Sequence, residues 1–124
     1  MNIEQILSMK PSALLQKLVD DYSYGLPNEI ITIEDMNEAG KLLIRLSGDY
    51  SYLMSLLSYA KIATREAKRS GTKEEYEDAV DRKEIISNVT EAIKQKYSAI
   101  SRAVTIRIEN NRELHMNTEG SIYG

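Results

Sequence analysis

Apolar residues repeat every seven positions on both sides of a single Ser70-Gly71 break, and this constrains the fold more than any other feature. Before the break, Met36, Leu43, Tyr50 and Leu57 form one column, and Ala39, Leu46, Leu53, Ala60 and Ala67 form the other. After it, Ala79, Ile86, Ile93 and Ile100 repeat at the same interval, with Ile85, Ala92, Ala99 and Ile106 as a further row. Such columns specify two long helices with facing seams. Thr72 followed by Glu75 reads as the cap of the second helix. A break this short makes the helices antiparallel neighbours, each about 55–63 Å long at 1.5 Å per residue. The expected fold class is therefore all-α, a long antiparallel helical hairpin over residues 33–114.

The seams are broader than the two-position stripe of an isolated pair, so the hairpin needs a cover. Ile3, Ile6, Leu7, Leu14, Leu15, Leu18 and Val19 recur at helical spacing, and Pro11 suits a first helical turn. Two short helices are expected within residues 2–22, about 2–9 and 11–22, packed at the open end of the hairpin. A flank of small residues, Gly40, Ser47, Ser51 and Ser58, offers either these helices or another subunit a close approach. Tyr24 to Asn28 reads as a turn, Glu29 to Ile33 as a short extended piece, and Thr32 with Asp35 as a cap. Residues 1–115 then make one helical domain, followed by a flexible tail at 116–124.

The chain has no cysteine and one histidine. That removes disulfides, thiolate metal sites and cysteine nucleophiles. No phosphate loop, zinc-protease helix or calcium loop is present. Asp20-Asp21 and the Glu34, Asp35, Glu38 group are acidic clusters without a third ligand at a definable spacing, and His115 sits near a helix end. The reading is a non-enzymatic chain with no catalytic residue, no metal and no cofactor. No stretch approaches the ~20 apolar residues of a membrane span. The first residues lack the basic start and apolar run of a secretion signal, and Asn88-Val89-Thr90 is a sequon inside a helical pattern. A cytoplasmic protein with no membrane partner is expected.

Charge is the informative remainder. The formal net charge is −3, which is not that of a generally basic nucleic-acid binder. Yet residues 61–73 hold Lys61, Arg65, Lys68, Arg69 and Lys73 against Glu66 alone, and residues 94–107 hold Lys94, Lys96, Arg102 and Arg107 with no acid. Folded at Gly71, each basic stretch meets an acidic one. Lys61 to Arg69 lies beside Glu74, Glu75, Glu77, Asp78 and Asp81, giving a salt-bridged polar tip. Lys94 to Arg107 lies beside Glu34, Asp35, Glu38 and Asp49. Ion pairs at the buried edge are expected for Lys96 with Asp49 and Arg107 with Asp35, setting register more than stability. The alternative use of the same cations is an anionic ligand. Tyr52 and Tyr59, seven apart and off the seam, form an aromatic pair that either meets the N-terminal helices or binds a partner.

The segment Ala92 to Glu113, with Lys94, Lys96, Arg102 and Arg107 set among alternating Ile and Ala, resembles the final helix of UvsY-like recombination mediators, small helical accessory proteins of tailed bacteriophages. Arg69-Ser70-Gly71 stands where that family has an aromatic-Gly turn. The resemblance implies phage origin, action in the host cytoplasm, and single-stranded nucleic acid as a partner held by those four cations; the broad seam and the small-residue flank separately point to a homo-oligomer. Two other functions fit the same outline: an inhibitor or adaptor that binds a host protein through Tyr52 and Tyr59, and a structural assembly subunit.

Overall fold

The computed structural model describes residues 1–23 and 33–123, with side chains as far as Glu113. Four helices follow in order: α1 (Ile3–Ile6), α2 (Pro11–Asp21), α3 (Ile33–Ser70) and α4 (Lys73–Tyr123). Among the described residues there is no strand. α3 and α4 pack along each other as the expected helical hairpin, with the short N-terminal helices added to it. No helix of the described residues is long and apolar enough to cross a membrane. The turn at 24–28, the extended residues before Ile33 and the Thr32 cap lie outside the described residues, as do the side chains of His115 and the 116–124 tail.

Local signals act where the sequence places them. Asn2 and Gln5 close a reciprocal cap on α1: the Gln5 N–H donates to Asn2 Oδ1 at 2.8 Å, and the Asn2 N–H to Gln5 Oε1 at 2.9 Å. Pro11 opens α2, where its missing N–H removes nothing from the helix. The Glu75 N–H donates to Thr72 Oγ1 at 3.2 Å and caps α4.

The core is one cluster built from Leu14 and Leu18 of α2, Leu46, Leu53, Leu56, Leu57 and Ala60 of α3, and Ile86, Ile93 and Ile100 of α4. Ala39, Leu46, Leu53 and Ala60 of one heptad column are buried, and its last member, Ala67 near the turn, is half-buried. Two buried hydroxyls avoid a desolvation cost by bonding back to their own helices. Thr90 donates to the Ile86 carbonyl at 2.6 Å. Thr64 donates to Ala60 at 2.8 Å and also to Ala79 across the hairpin at 3.3 Å, which fixes the register near the turn.

The seating of the N-terminal helices differs from expectation. They lie on the half of the hairpin nearer the turn and not at its open end. Met9, just past α1, has its carbonyl met by Arg82 Nη1 at 3.0 Å, and α1 borders Tyr59, Ile62, Ala63 and Glu66 of α3. α2 then runs toward the open end and packs chiefly on α4, bringing Tyr22 near Asp49 and Tyr52. Short linkers usually keep consecutive helices together. Here nine residues separate Ser23 from Ile33, a reach of up to ~30 Å, so α2 is free to sit far from the start of α3.

This seating also leaves the small-residue flank uncovered. At about 100° per residue, Tyr52, Tyr59 and Ala63, beside α1, and Gly40, Ser47, Ser51 and Ser58 fall on opposite sides of the α3 seam. Ser47, Ser51 and Ser58 are exposed, and a Cβ on Gly40 would meet nothing within 4 Å.

Candidate nucleic-acid interface

The four cations expected to bind nucleic acid divide into two pairs. Lys96 and Arg107 lie only about 20° apart on α4, both half-buried toward the seam. Both are engaged in polar or electrostatic contacts, as is Asp35. Lys94 and Arg102 point outward and are exposed. The four therefore do not make one face.

The expected pairing at Asp49 is not made as drawn. Asp49 Oδ2 is buried and accepts no hydrogen bond, and burial holds its carboxyl above the usual carboxylate range. Asp49, Tyr52 and Tyr22 meet where α2 ends. Burial, then the nearby Tyr52 and Asp49, push the Tyr22 hydroxyl up to about 12. A carboxyl raised on folding takes up protons as the chain folds. Its contribution to stability is present below the unfolded value near 4 and lost as the pH rises through the raised folded value. Asp49→Asn is therefore expected to raise stability at neutral pH by roughly 1 kcal/mol. Thermal melts across pH 3 to 8 check this. The gain should shrink as the wild-type carboxyl protonates, and a gain constant with pH would refute the assignment.

The polar tip is also arranged differently. Among the described residues, the ion pair at the turn stays within one helix, Lys73 to Glu77 at 4.0 Å. Lys61, Arg65, Lys68 and Arg69 are exposed and make no ion pair with Glu74, Glu75, Asp78 or Asp81. The cause is angular. Lys61, Arg65 and Lys68 occupy the flank away from α1 and α2, and Glu74, Asp78 and Asp81 project toward the opposite one.

The hairpin thereby gathers one basic flank that sequence reasoning did not assemble. Lys61, Arg65 and Lys68 of α3 share it with Lys83 and Lys94 of α4. Between residues 40 and 69 of α3 no acid falls in that sector, and on α4 only Glu91 reaches its outer edge. Ser47, Tyr50, Lys94, Tyr97 and Ser98 line a groove of ≈ 260 Å³ there. Tyr50, read from the sequence as a seam residue, is half-buried, Tyr97 is 39% exposed, and both present ring surface beside Lys94. From Lys68 to Lys94 the flank runs about 28 Å. The acids Glu4, Asp20, Asp21, Asp49 and Glu66 belong to the other side, on α1, α2 and the α3 surface they border. The one signal for this flank was angular position relative to the covering helices, and α2's seating is set by tertiary packing.

Tyr52 and Tyr59, expected as a partner patch, are 40% and 53% exposed and line a second groove, of ≈ 840 Å³, with Ile3, Leu7 and Ile62. Among the described residues no group of three or more His, Cys, Asp or Glu is placed to hold a metal ion. Comparison of the chain with family models, with curated proteins and with solved structures finds no match.

Proposed function

We propose that this chain is a non-enzymatic accessory that binds single-stranded nucleic acid along the basic flank of its hairpin, in the kind of role the recombination-mediator resemblance implies. The observation that carries the reading is the alignment of Lys61, Lys68, Lys83 and Lys94 beside the Tyr50 and Tyr97 groove, on the side free of α1 and α2. Cations at this spacing follow a phosphate backbone, and partly exposed rings give bases a stacking surface without sequence preference. The acidic opposite side accounts for a net charge of −3 in a chain that binds a polyanion. It also orients the strand, since only one flank attracts phosphate.

Fluorescence anisotropy with a labelled oligonucleotide, measured over a salt series, tests this. Four or five neutralised phosphates give a slope of about −3 in log affinity against log salt. Lys61→Ala with Lys94→Ala should weaken binding about tenfold at low salt, uniformly across sequences, and reduce the slope by about 1.4. Lys96→Ala, which alters an engaged residue off this flank, should leave the slope unchanged. An oligonucleotide that stays free at low salt overturns the reading. The groove beside Tyr52 and Tyr59 would then favour the adaptor function, with an apolar protein segment seated against α1.

A further inference from the structure

The basic flank is concave beside Lys94, where residues of both long helices meet. Lys94, Tyr97 and Ser98 share one face of α4, Tyr97 three and Ser98 four residues beyond Lys94. Ser47 and Tyr50, three apart on α3, meet them from across the hairpin. Counted from the Thr64–Ala79 bond, residues 47–50 of α3 lie level with 93–96 of α4. The five side chains line the groove of ≈ 260 Å³. That is below the ~300 Å³ at which pockets for drug-sized ligands begin, so the groove admits one small ring system and not a peptide helix. Its lining holds two aromatic rings, two hydroxyls and one ammonium, and no acid.

We infer that this groove is a subsite for one nucleoside monophosphate unit. The base lies against the Tyr50 and Tyr97 rings, the phosphate at Lys94, and the Ser47 and Ser98 hydroxyls meet the base edge or the sugar. The inference rests on the nucleic-acid reading for a strand as the source of that unit, and goes past it in giving one nucleotide a fixed seat. The lining selects this chemistry. A base offers a flat face to the rings, and a phosphate offers a negative charge to the ammonium. An aliphatic side chain in the same place would bury the hydroxyls and the ammonium without partners, a desolvation cost that nothing offsets. An inorganic anion would satisfy Lys94 and leave both rings unused. A hydroxyl donates as well as accepts, so the two serines meet the edge of any base, and the seat does not choose among them.

Two oligonucleotides of equal length, one intact and one with every base removed, test it by anisotropy over a salt series. Both carry the same phosphates, so both should show the same salt slope. The abasic strand should bind about tenfold more weakly, for want of one stacked base. Tyr97→Ala should lower affinity for the intact strand about tenfold and leave that for the abasic strand unchanged. Tyr97→Phe, which keeps the ring, should bind as the wild type does. Adenosine monophosphate distinguishes the sources of the nucleotide. Eight tyrosines and one histidine are the only aromatic side chains, so the ring-proton spectrum is sparse, and about 1 mM of the monophosphate should shift the Tyr97 signals. Weaker binding than the intact strand assigns the seat to a link of a strand, and equally tight binding assigns it to a free nucleotide. Equal affinity for the two strands, or an equal loss for both in Tyr97→Ala, overturns the subsite and leaves the flank reading in place. If neither strand binds, the flank reading falls, and an unshifted Tyr97 signal with the monophosphate then removes the subsite as well.

Discussion

Leu53→Ala should lower the free energy of unfolding by roughly 3 kcal/mol, read as a fall in the denaturant midpoint at constant slope. Leu53 has no exposed surface, and it sits in the cluster where α2, α3 and α4 meet. Truncation removes the transfer free energy of its side chain and leaves a cavity that long helices packed along each other cannot collapse to fill. A chain of this size is stable by only about 5–15 kcal/mol, so this one change removes a large share. The same truncation at Val19, 51% exposed on α2, should cost under ~1 kcal/mol. Similar losses at both positions would mean that α2 does not seat on the hairpin as described.

The contrast shows which part of the fold was legible in the sequence. The column of Ala39, Leu46, Leu53, Ala60 and Ala67 is buried as far as Ala60 and half-buried at Ala67, and the column of Ala79, Ile86, Ile93 and Ile100 is buried at every member, because a seven-residue interval returns each position to the same face. The row of Ile85, Ala92, Ala99 and Ile106 has the same interval. Yet only Ile85 packs against the core, and Ile106 is 50% exposed. Periodicity defines a face without saying what covers it, and α2 covers only the stretch its own eleven residues reach.

The charge pattern failed for a related reason. Lys61 and Asp81 sit at nearly the same level of the hairpin, which the sequence shows once the turn is placed. Level is not face. The two side chains leave their helices toward opposite flanks, and an ion pair needs both coordinates. The candidate site inherits this limit. Lys94 was readable as an outward cation, but its grouping with Lys61, Lys68 and Lys83 follows from which flank α1 and α2 leave open.

The turn supplies the second large effect. Gly71→Ala should cost about 2 kcal/mol or more, because a Cβ at that position would lie 2.7 Å from the Ala67 carbonyl oxygen and 3.1 Å from the Ala67 Cα. Both are backbone atoms of the last turn of α3, and they cannot swing aside as the end of a flexible side chain would. The Gly71 N–H also donates to that carbonyl at 2.8 Å, so moving the residue away breaks the bond that ends the helix. Relief lies in straightening the break. Alanine favours continued helix by about 1 kcal/mol over glycine, so the variant gains as a rod what it loses as a turn. An opened rod exposes the seams of both helices, and it can rebury them only against another opened chain. Gly71→Ala is thus expected to melt earlier and to form an exchanged dimer that persists on dilution, separable on a sizing column. A variant that melts with the wild type and keeps its mass would show that the turn tolerates a side chain, and that the reversal at this glycine is not what closes the hairpin.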